Sequence, residues 1–390
     1  MSVYITDAVR TPRGKARPDG GLAAIKPQDL VAGLVDALEQ RVGGVRERAE
    51  SLALGCVGQI GAQGGNIALV SKFRAGFPDA MPAYTINNYC VSSLSAIGQI
   101  SAAIASGRID HALAGGVESM SQVPFLADKA AFYGERDLPE RARFFPVAVA
   151  ADLLAVKEGV NRDALDAVTA TSHRKAAAAE ANGKVLLRSR IAVRRADGGV
   201  ALDHDEAIRP QATAEALATL QPAFGEVAAA FRTVLGDAPI DHRHSIANAP
   251  PIADGAGLAF VSNQANGARA RIVAYAEAGA DPRDSLTAGF AAMGKALARA
   301  GLSLDDVDCI EFMEAFAVTI AMFERDYKVD PAKVNPGGGH LAKGHPMGAS
   351  GAILLSTLLD ALDASGGTTG LVVASGASGV GAAMIIERVN

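Results

Sequence analysis

The sequence predicts an α/β protein built from two similar halves, with a separate lobe set into the first half. Three observations predict it. Apolar runs of strand length alternate with stretches of helical spacing along most of the chain. The order of these elements repeats: ITDAVRTP is echoed by VAYAEAGADP, SLALGCVGQ by DCIEFMEAF, and the helix and strand that follow NNYC by the 347–366 helix and the GLVVAS strand. A segment from about 121 to 245 interrupts the alternation.

In chain order, VYITDAVR (3–10) reads as a strand, and PQDLVAGLVDALEQRV (27–42) as a helix through Leu30, Leu34, Leu38 and Val42. SLALGCVGQ (51–59) is a strand, NIALVSKFRAG (66–76) a helix closed by Gly76, and YTINNY (84–89) a short strand. CVSSLSAIGQISAAIASG (90–107) is helical, and HALAGGVES (111–119) is a buried strand. The 121–245 segment holds a charged aromatic stretch, FYGERDLPERARFF, helical pieces around 150–180 and a polar tract. It is too long for a plain connection, which makes it a lobe with its own helices over the active site. The alternation resumes with a strand at 271–279, a helix at 286–301, a strand running into a helix at 307–318, and a helix at 347–366. Two strands, GLVVAS and AAMIIERV, end the chain. The expected first half is 1–265, with its core at 1–120 and 246–265 around the 121–245 lobe. The second half is 266–390.

Composition excludes several classes. Across 390 residues, 49% are hydrophobic and 20% charged, as in a globular enzyme. The net charge of −5 and the lack of a basic block argue against a nucleic-acid partner. The opening MSVYITDAVRTPRGK lacks the apolar core of a secretory signal. The uncharged tracts at 344–359 and 364–386 are broken by Gly and Ser, so they read as packed core, with no membrane association expected. Cys56, Cys90 and Cys309 form no CxxC, no metal-ligand cluster is visible, and reduced thiols in the cytoplasm are the natural reading.

Two segments carry chemistry. NNYCVSSLSAI places Cys90 where a strand ends and a helix begins, with Ser92 and Ser93 as helix-start residues. A thiol there faces the positive end of the helix dipole, which favours the nucleophilic thiolate. A structural buried cysteine is the alternative, and free cysteines are usually that. VNPGGGHLAKGHPMGAS (334–350) is Gly-rich, holds His340 and His345 five residues apart, and leads into a long helix with Pro346 in its first turn. A histidine held before a helix can act as general base toward a thiol. A glycine loop with an exposed histidine is the alternative.

Taken together, these residues resemble the thiolase superfamily over nearly the whole chain. VRTPRGK (9–15), AGGVESMS (114–121), GLSLDDVDCIEFMEAFA (301–317), KVNPGGGHLAKGHPMGASGA (333–352) and GLVVASGASGVGAAMIIE (370–387) fall in the family's order and spacing. The resemblance implies two βαβαβαββ halves in a five-layered α-β-α-β-α arrangement, with the loop domain inserted in the N-terminal half. It implies an acyltransferase of fatty-acid and lipid metabolism: 3-ketoacyl-CoA thiolysis or acetyl-CoA condensation through an acyl-enzyme. Acyl-CoA and coenzyme A are the expected partners, with no tightly bound cofactor, in a homodimer or homotetramer. Cys90 corresponds to the acyl-carrying nucleophile and His345 to the histidine that takes its proton. Ala377 falls at an oxyanion position, and Asn248, Ala249, Pro250 and Phe316 fall among the residues lining the coenzyme.

The sequence also departs from the family pattern. Ser375 stands where the family carries its second catalytic cysteine, and an alcohol is a far weaker acid than a thiol of pKa near 8.5. Met313 replaces the Asn or His that helps hold a water or oxygen in an oxyanion hole, and a thioether donates no hydrogen bond. Val91 and Ser93 replace glycines after the nucleophile, Pro250-Pro251 replace Ser-Gly in the coenzyme loop, and Pro146-Val147 replace a His-Met pair. Cys309 lies four residues from Met313, about 13 Å along a strand, too far to substitute. His340 is the candidate to compensate, with an exposed loop histidine as the alternative; Cys56 is expected in the core. These departures leave two alternatives open: a thiolase-like acyltransferase or decarboxylating condensing enzyme without ordinary Claisen activity, and a weakly catalytic subunit.

Overall fold

The computed structural model describes residues 1–182, 185–236 and 240–389. Its strands, in chain order, are β1 (Val3–Arg10), β2 (Gly14–Lys15), β3 (Leu52–Gly55), β4 (Ala83–Ile86), β5 (His111–Glu118), β6 (Val193–Arg194), β7 (Val200–Leu202), β8 (Ala253–Ser262), β9 (Ala270–Gly279), β10 (Cys309–Phe312), β11 (Thr369–Gly376) and β12 (Val380–Arg388).

The sheet makes the duplication visible. Its hydrogen-bonded path runs β4-β3-β5-β8-β1-β9-β12-β11-β10, with β2 attached to β8. β1 and β9 meet antiparallel at the seam, Tyr4 opposite Arg271. Outward from the seam, the first half reads β1, β8, β5, β3 with antiparallel, antiparallel and parallel pairings. The second half reads β9, β12, β11, β10 with the same three pairings. β4, parallel to β3 at the far edge, has no counterpart among the described residues of the second half.

Side-chain alternation explains the layering. Ala53, Ala112, Ala114, Ala259 and Val261 face one core of the first half-sheet, and Leu52, Leu54, Leu113, Leu258 and Phe260 face the other. The large residues meet the outer helices Pro27–Val42 and Ile67–Arg74. The small ones meet the central helices Ser92–Ala105 and Ser350–Ser365, which also pack on the second half-sheet. Helix Ala288–Ala300 covers that sheet's outer face, and Phe323 of helix Ala317–Tyr327 stacks on Phe312 of β10. This gives alternating α, β, α, β and α layers, as the resemblance implies. The two central helices touch where a Cβ on Gly351 would lie 2.7 Å from Leu94, so only glycine permits this crossing.

The apolar tract 344–359 lies largely in a buried helical stretch. Met347–Ser365 is long and apolar enough by composition to cross a membrane, yet it sits between the two half-sheets, almost wholly covered by protein.

β8, fully buried and central to its half-sheet, is not among the strands read from the sequence. ADGAGLAFVS carries an aspartate, two glycines and little β-branching, which disguises it. Its small residues are a packing requirement: a Cβ on Gly257 would stand 2.8 Å from the Ile353 backbone N.

The 121–245 segment carries the helices Val147–Lys157 and Arg162–Asn182, the β6–β7 hairpin, and a small core of Phe145, Val149, Ala150, Val234 and Leu235. It reaches the rest of the chain through Ser172, whose hydroxyl donates to Glu314 at 2.7 Å, and through Asp166 and Thr169, which hold Asn248.

Candidate active site

The chain leaves β4 and turns sharply into the central helix at Tyr89, whose φ is +48°. A left-handed conformation costs a non-glycine residue about 1–2 kcal/mol. Local bonds hold it: Ser92 Oγ donates to Tyr89 O at 2.5 Å, and Asn88 N–H donates to Ser92 Oγ at 2.8 Å. Ser92 therefore braces the turn, and the two serines open the helix as its first residues without capping it: its cap position is Val91. Ser93 Oγ instead accepts the Ala352 N–H of the other central helix at 3.0 Å.

Cys90 is partly exposed at this turn. Burial pushes its thiol up to about 12, reinforced by the nearby Glu118 carboxylate. Backbone hydrogen bonding from Ala377 and from Cys90 itself pulls the other way. The expected dipole-stabilised thiolate is thus corrected: desolvation outweighs the helix terminus, and the resting group is a thiol.

The turn after β11 closes on this point. A Cβ on Gly376 would lie 3.2 Å from Cys90 N and 3.4 Å from Tyr89 Cβ. Ser375, its buried neighbour, has its hydroxyl occupied as acceptor of the Gly289 N–H at 3.0 Å. Gly289 lies in the first turn of helix Ala288–Ala300, so the serine oxygen faces a helix N-terminus.

His345 is held on three sides. Its backbone N–H donates to Pro251 O at 2.7 Å, its Nδ1 lies 2.9 Å from Ser350 Oγ, and its ring meets His340 edge-to-face with centroids 5.1 Å apart. Burial, and then the Arg13 charge, lowers it to about 3, so the ring is neutral at physiological pH. Three residues on, the Gly348 backbone packs against the start of the Cys90 helix. A Cβ on Gly116 would lie 2.7 Å from Gly348 O and 2.8 Å from Ser93 Cβ.

Glu118, at the end of β5, ties these parts together and was not singled out from the sequence. It accepts the N–H groups of Val57 at 2.9 Å, Gly58 at 3.0 Å and Gly348 at 3.0 Å, and the Gln63 side chain at 2.9 Å. Burial raises its carboxyl, while these donors lower it. A glutamate at a strand end inside AGGVESMS was the available signal. Cys56 lies in the core as expected, its thiol 3.7 Å from the same carboxylate.

The 335–344 loop is clamped from below. Glu314 accepts from Ser172 Oγ, Asn335 Nδ2 at 2.9 Å and Leu341 N at 2.9 Å. Arg13, buried and lowered to about 10 by desolvation, donates to Gly344 O at 2.9 Å. Asp205, buried between Arg10 and Arg13, accepts both guanidinium nitrogens of Arg10 at 2.8 and 2.9 Å. His340 is fully buried, which overturns the exposed-loop alternative, and neither ring nitrogen has a hydrogen-bond partner among the described residues.

Met313 is buried at the end of β10, and its N–H donates to Val373 O. Cys309 is buried near Ser365, at 3.3 Å. Phe316 takes φ +73° and packs edge-to-face on Phe224 and His244. Asn248 is buried with its amide fully used: Oδ1 accepts from Ser245 N and Oγ, and Nδ2 donates to Asp166 and Thr169. Ala249 and Pro250 are half-buried, on the stretch that pairs with His345 at Ile252. Among the described residues, no group of three or more His, Cys, Asp or Glu side chains is placed to hold a metal ion.

Comparison with known proteins agrees with this arrangement. Residues 3–238 match the family model of the thiolase N-terminal domain, and residues 267–388 that of the thiolase C-terminal domain. The chain is 36% identical over 422 residues to a β-ketoadipyl-CoA thiolase of Pseudomonas knackmussii, covering 99% of each chain. It is 34% identical over 413 residues to a steroid 3-ketoacyl-CoA thiolase of Mycobacterium tuberculosis, covering 99% of this chain and 94% of that one. It is 34% identical over 406 residues to a 3-ketoacyl-CoA thiolase of Saccharophagus degradans, covering 99% and 98%.

Proposed function

This chain belongs to the thiolase family and is an acyltransferase acting on coenzyme A thioesters; on that premise we propose that Cys90 carries the acyl group and His345 moves its proton. The observation that carries this reading is the packing of the turn after β11 onto Cys90, where a Cβ on Gly376 would lie 3.2 Å from Cys90 N, so that the backbone of both segments lines the thiol. Backbone donors fixed around a reacting atom stabilise an oxyanion without reorganisation. Glu118 and Gly348 bring the His345 loop against the same helix start.

The resting proton sits on sulfur, since Cys90 is raised to about 12 and His345 is lowered to about 3. A free thiolate–imidazolium pair is therefore costly here, and proton transfer accompanies attack. His345 takes the thiol proton as the sulfur bonds to the carbonyl carbon. In thiolysis the carbon–carbon bond then breaks, the departing acetyl-CoA carbanion takes a proton, and coenzyme A thiol attacks the acyl-Cys90 thioester. Ser375 is the residue at the second proton-transfer position. Its oxygen already accepts the Gly289 N–H, so it can offer its own proton but is a weak acid for the task. The coenzyme arm lies along Ala249, Pro250 and Phe316, with Asn248 bracing that stretch from within.

The substrates are 3-ketoacyl-CoA esters, with the β-ketoadipyl-CoA class first to be tried, given the relatives named above. The protein works in the cytoplasm as a homodimer or homotetramer. The unpaired thiols are compatible with a reducing compartment, and the half-exposed edge strand β4 supplies an unpaired ladder that association would cover. Coenzyme A-dependent cleavage of a 3-ketoacyl-CoA series tests the proposal. Turnover of at least one ester, lost in Cys90→Ala and His345→Ala, supports it; full turnover by Cys90→Ala contradicts it.

A further inference from the structure

His340 is built into this site in an unusual way. It is fully enclosed, yet neither Nδ1 nor Nε2 has a partner among the described residues. Leaving a buried polar group unpaired costs about 1–3 kcal/mol. The chain nonetheless fixes the residue firmly. A Cβ on Gly339 would collide with the Glu314 carboxylate at 2.2 Å, and one on Gly338 with Ser172 O at 2.6 Å. Gly339 N–H donates to Ser172 Oγ at 3.0 Å, and Leu341 N–H to Glu314 at 2.9 Å. Arg13 holds the far end of the short helix His340–Lys343 through Gly344 O. The imidazole lies edge-to-face on His345, and the charges facing it, Arg13 and Lys343, are both positive. It is therefore held neutral, with one N–H and one lone pair. The thioether at Met313 offers no donor.

We propose that His340 is a further catalytic residue, whose unclaimed N–H is taken by the acyl carbonyl oxygen as the thioester is attacked beside His345. This rests on the reading of Cys90 as the acyl carrier. The ring contact places this donor beside His345, and hydrogen bonds of this kind are often completed only in the reacting complex. The charge it answers is oxygen-centred and transient, so the neutral imidazole serves as donor without being consumed.

The test separates a donor from a packing residue. His340→Phe keeps a ring and removes both nitrogens; His340→Asn keeps a donor on a smaller side chain. Two rates are compared in each intact protein: acylation of Cys90 by acetyl-CoA, followed by intact mass, and alkylation of Cys90 by iodoacetamide, which develops no oxyanion. The proposal expects His340→Phe to slow acylation by about 10²–10³, the usual effect of one lost oxyanion donor. Alkylation should change less than about threefold, and His340→Asn should recover at least about tenfold of the acylation rate. Equal loss of both rates in His340→Phe, or wild-type acylation by it, overturns the proposal. If wild-type protein is alkylated at Cys90 yet never acylated by any thioester, the acyl-carrier reading fails instead.

Discussion

Glu118 and Gly348 stand 230 residues apart in sequence and 3.0 Å apart in space, carboxylate oxygen to backbone N–H. One buried side chain of the first half thereby fixes the loop that carries His345 in the second half. Oε2 also accepts the Val57 N–H, while Oε1 accepts those of Gly58 and Gln63, so every donor around the carboxylate is matched.

Glu118→Gln is expected to be costly because its amide nitrogen would have to face N–H donors. Each buried donor left unmatched costs about 1–3 kcal/mol. A loss of about 2–4 kcal/mol in unfolding free energy is expected by denaturant titration, and folded protein should lose more activity than Gln63→Ala. An unchanged midpoint would show that the carboxylate is not the clamp described.

Ser350 controls the orientation of His345 through the 2.9 Å contact with Nδ1. Ser350→Ala should lower the acylation rate of Cys90 by about tenfold, with Ser350→Thr retaining most of it. Rapid-quench measurement of the first half-reaction reads this directly.

Ser375→Cys should separate the two half-reactions. A thiol is a far better proton carrier near neutral pH, so thiolysis should rise by about tenfold or more while Cys90 acylation stays constant. The exchange weakens the bond from Gly289, so stability should fall by up to about 1 kcal/mol.

Acid should destabilise the protein through its buried histidines. His345 is lowered to about 3 by burial and then Arg13, His173 to about 4 by burial and then Arg209, and His340 well below its ordinary value by burial. Such groups bind fewer protons folded than unfolded. Their stabilisation is complete above an unfolded value near 6.5 and is lost as pH falls toward 4 and below. Each contributes a slope of up to about 1.4 kcal/mol per pH unit in that window. His173→Gln, which can still accept the Arg209 N–H, should flatten the stability–pH curve between pH 6.5 and 4.

Much of this was legible in the sequence because periodicity and composition report burial. Val3–Arg10 and Pro27–Val42 fall where their apolar spacing puts them, and the echo between the halves matches the repeated strand order on either side of the β1–β9 seam. β8 was hidden because a strand pressed against a helix backbone needs glycine and alanine, the residues that spacing rules read least well. The thiol's protonation state is hidden in the sequence for a related reason. A helix terminus can be seen in the order of residues, whereas the depth of burial around Cys90 depends on segments hundreds of positions away. Glu118 and the unpaired nitrogens of His340 are likewise properties of assembled surroundings.

The most direct test of the account is the mass of the intact protein after brief incubation with acetyl-CoA, acetoacetyl-CoA and β-ketoadipyl-CoA. One acyl group should appear on Cys90 with at least one ester, vanish in Cys90→Ala, and form far more slowly in His345→Ala. Acylation that persists in Cys90→Ala, or none with any thioester, would contradict it.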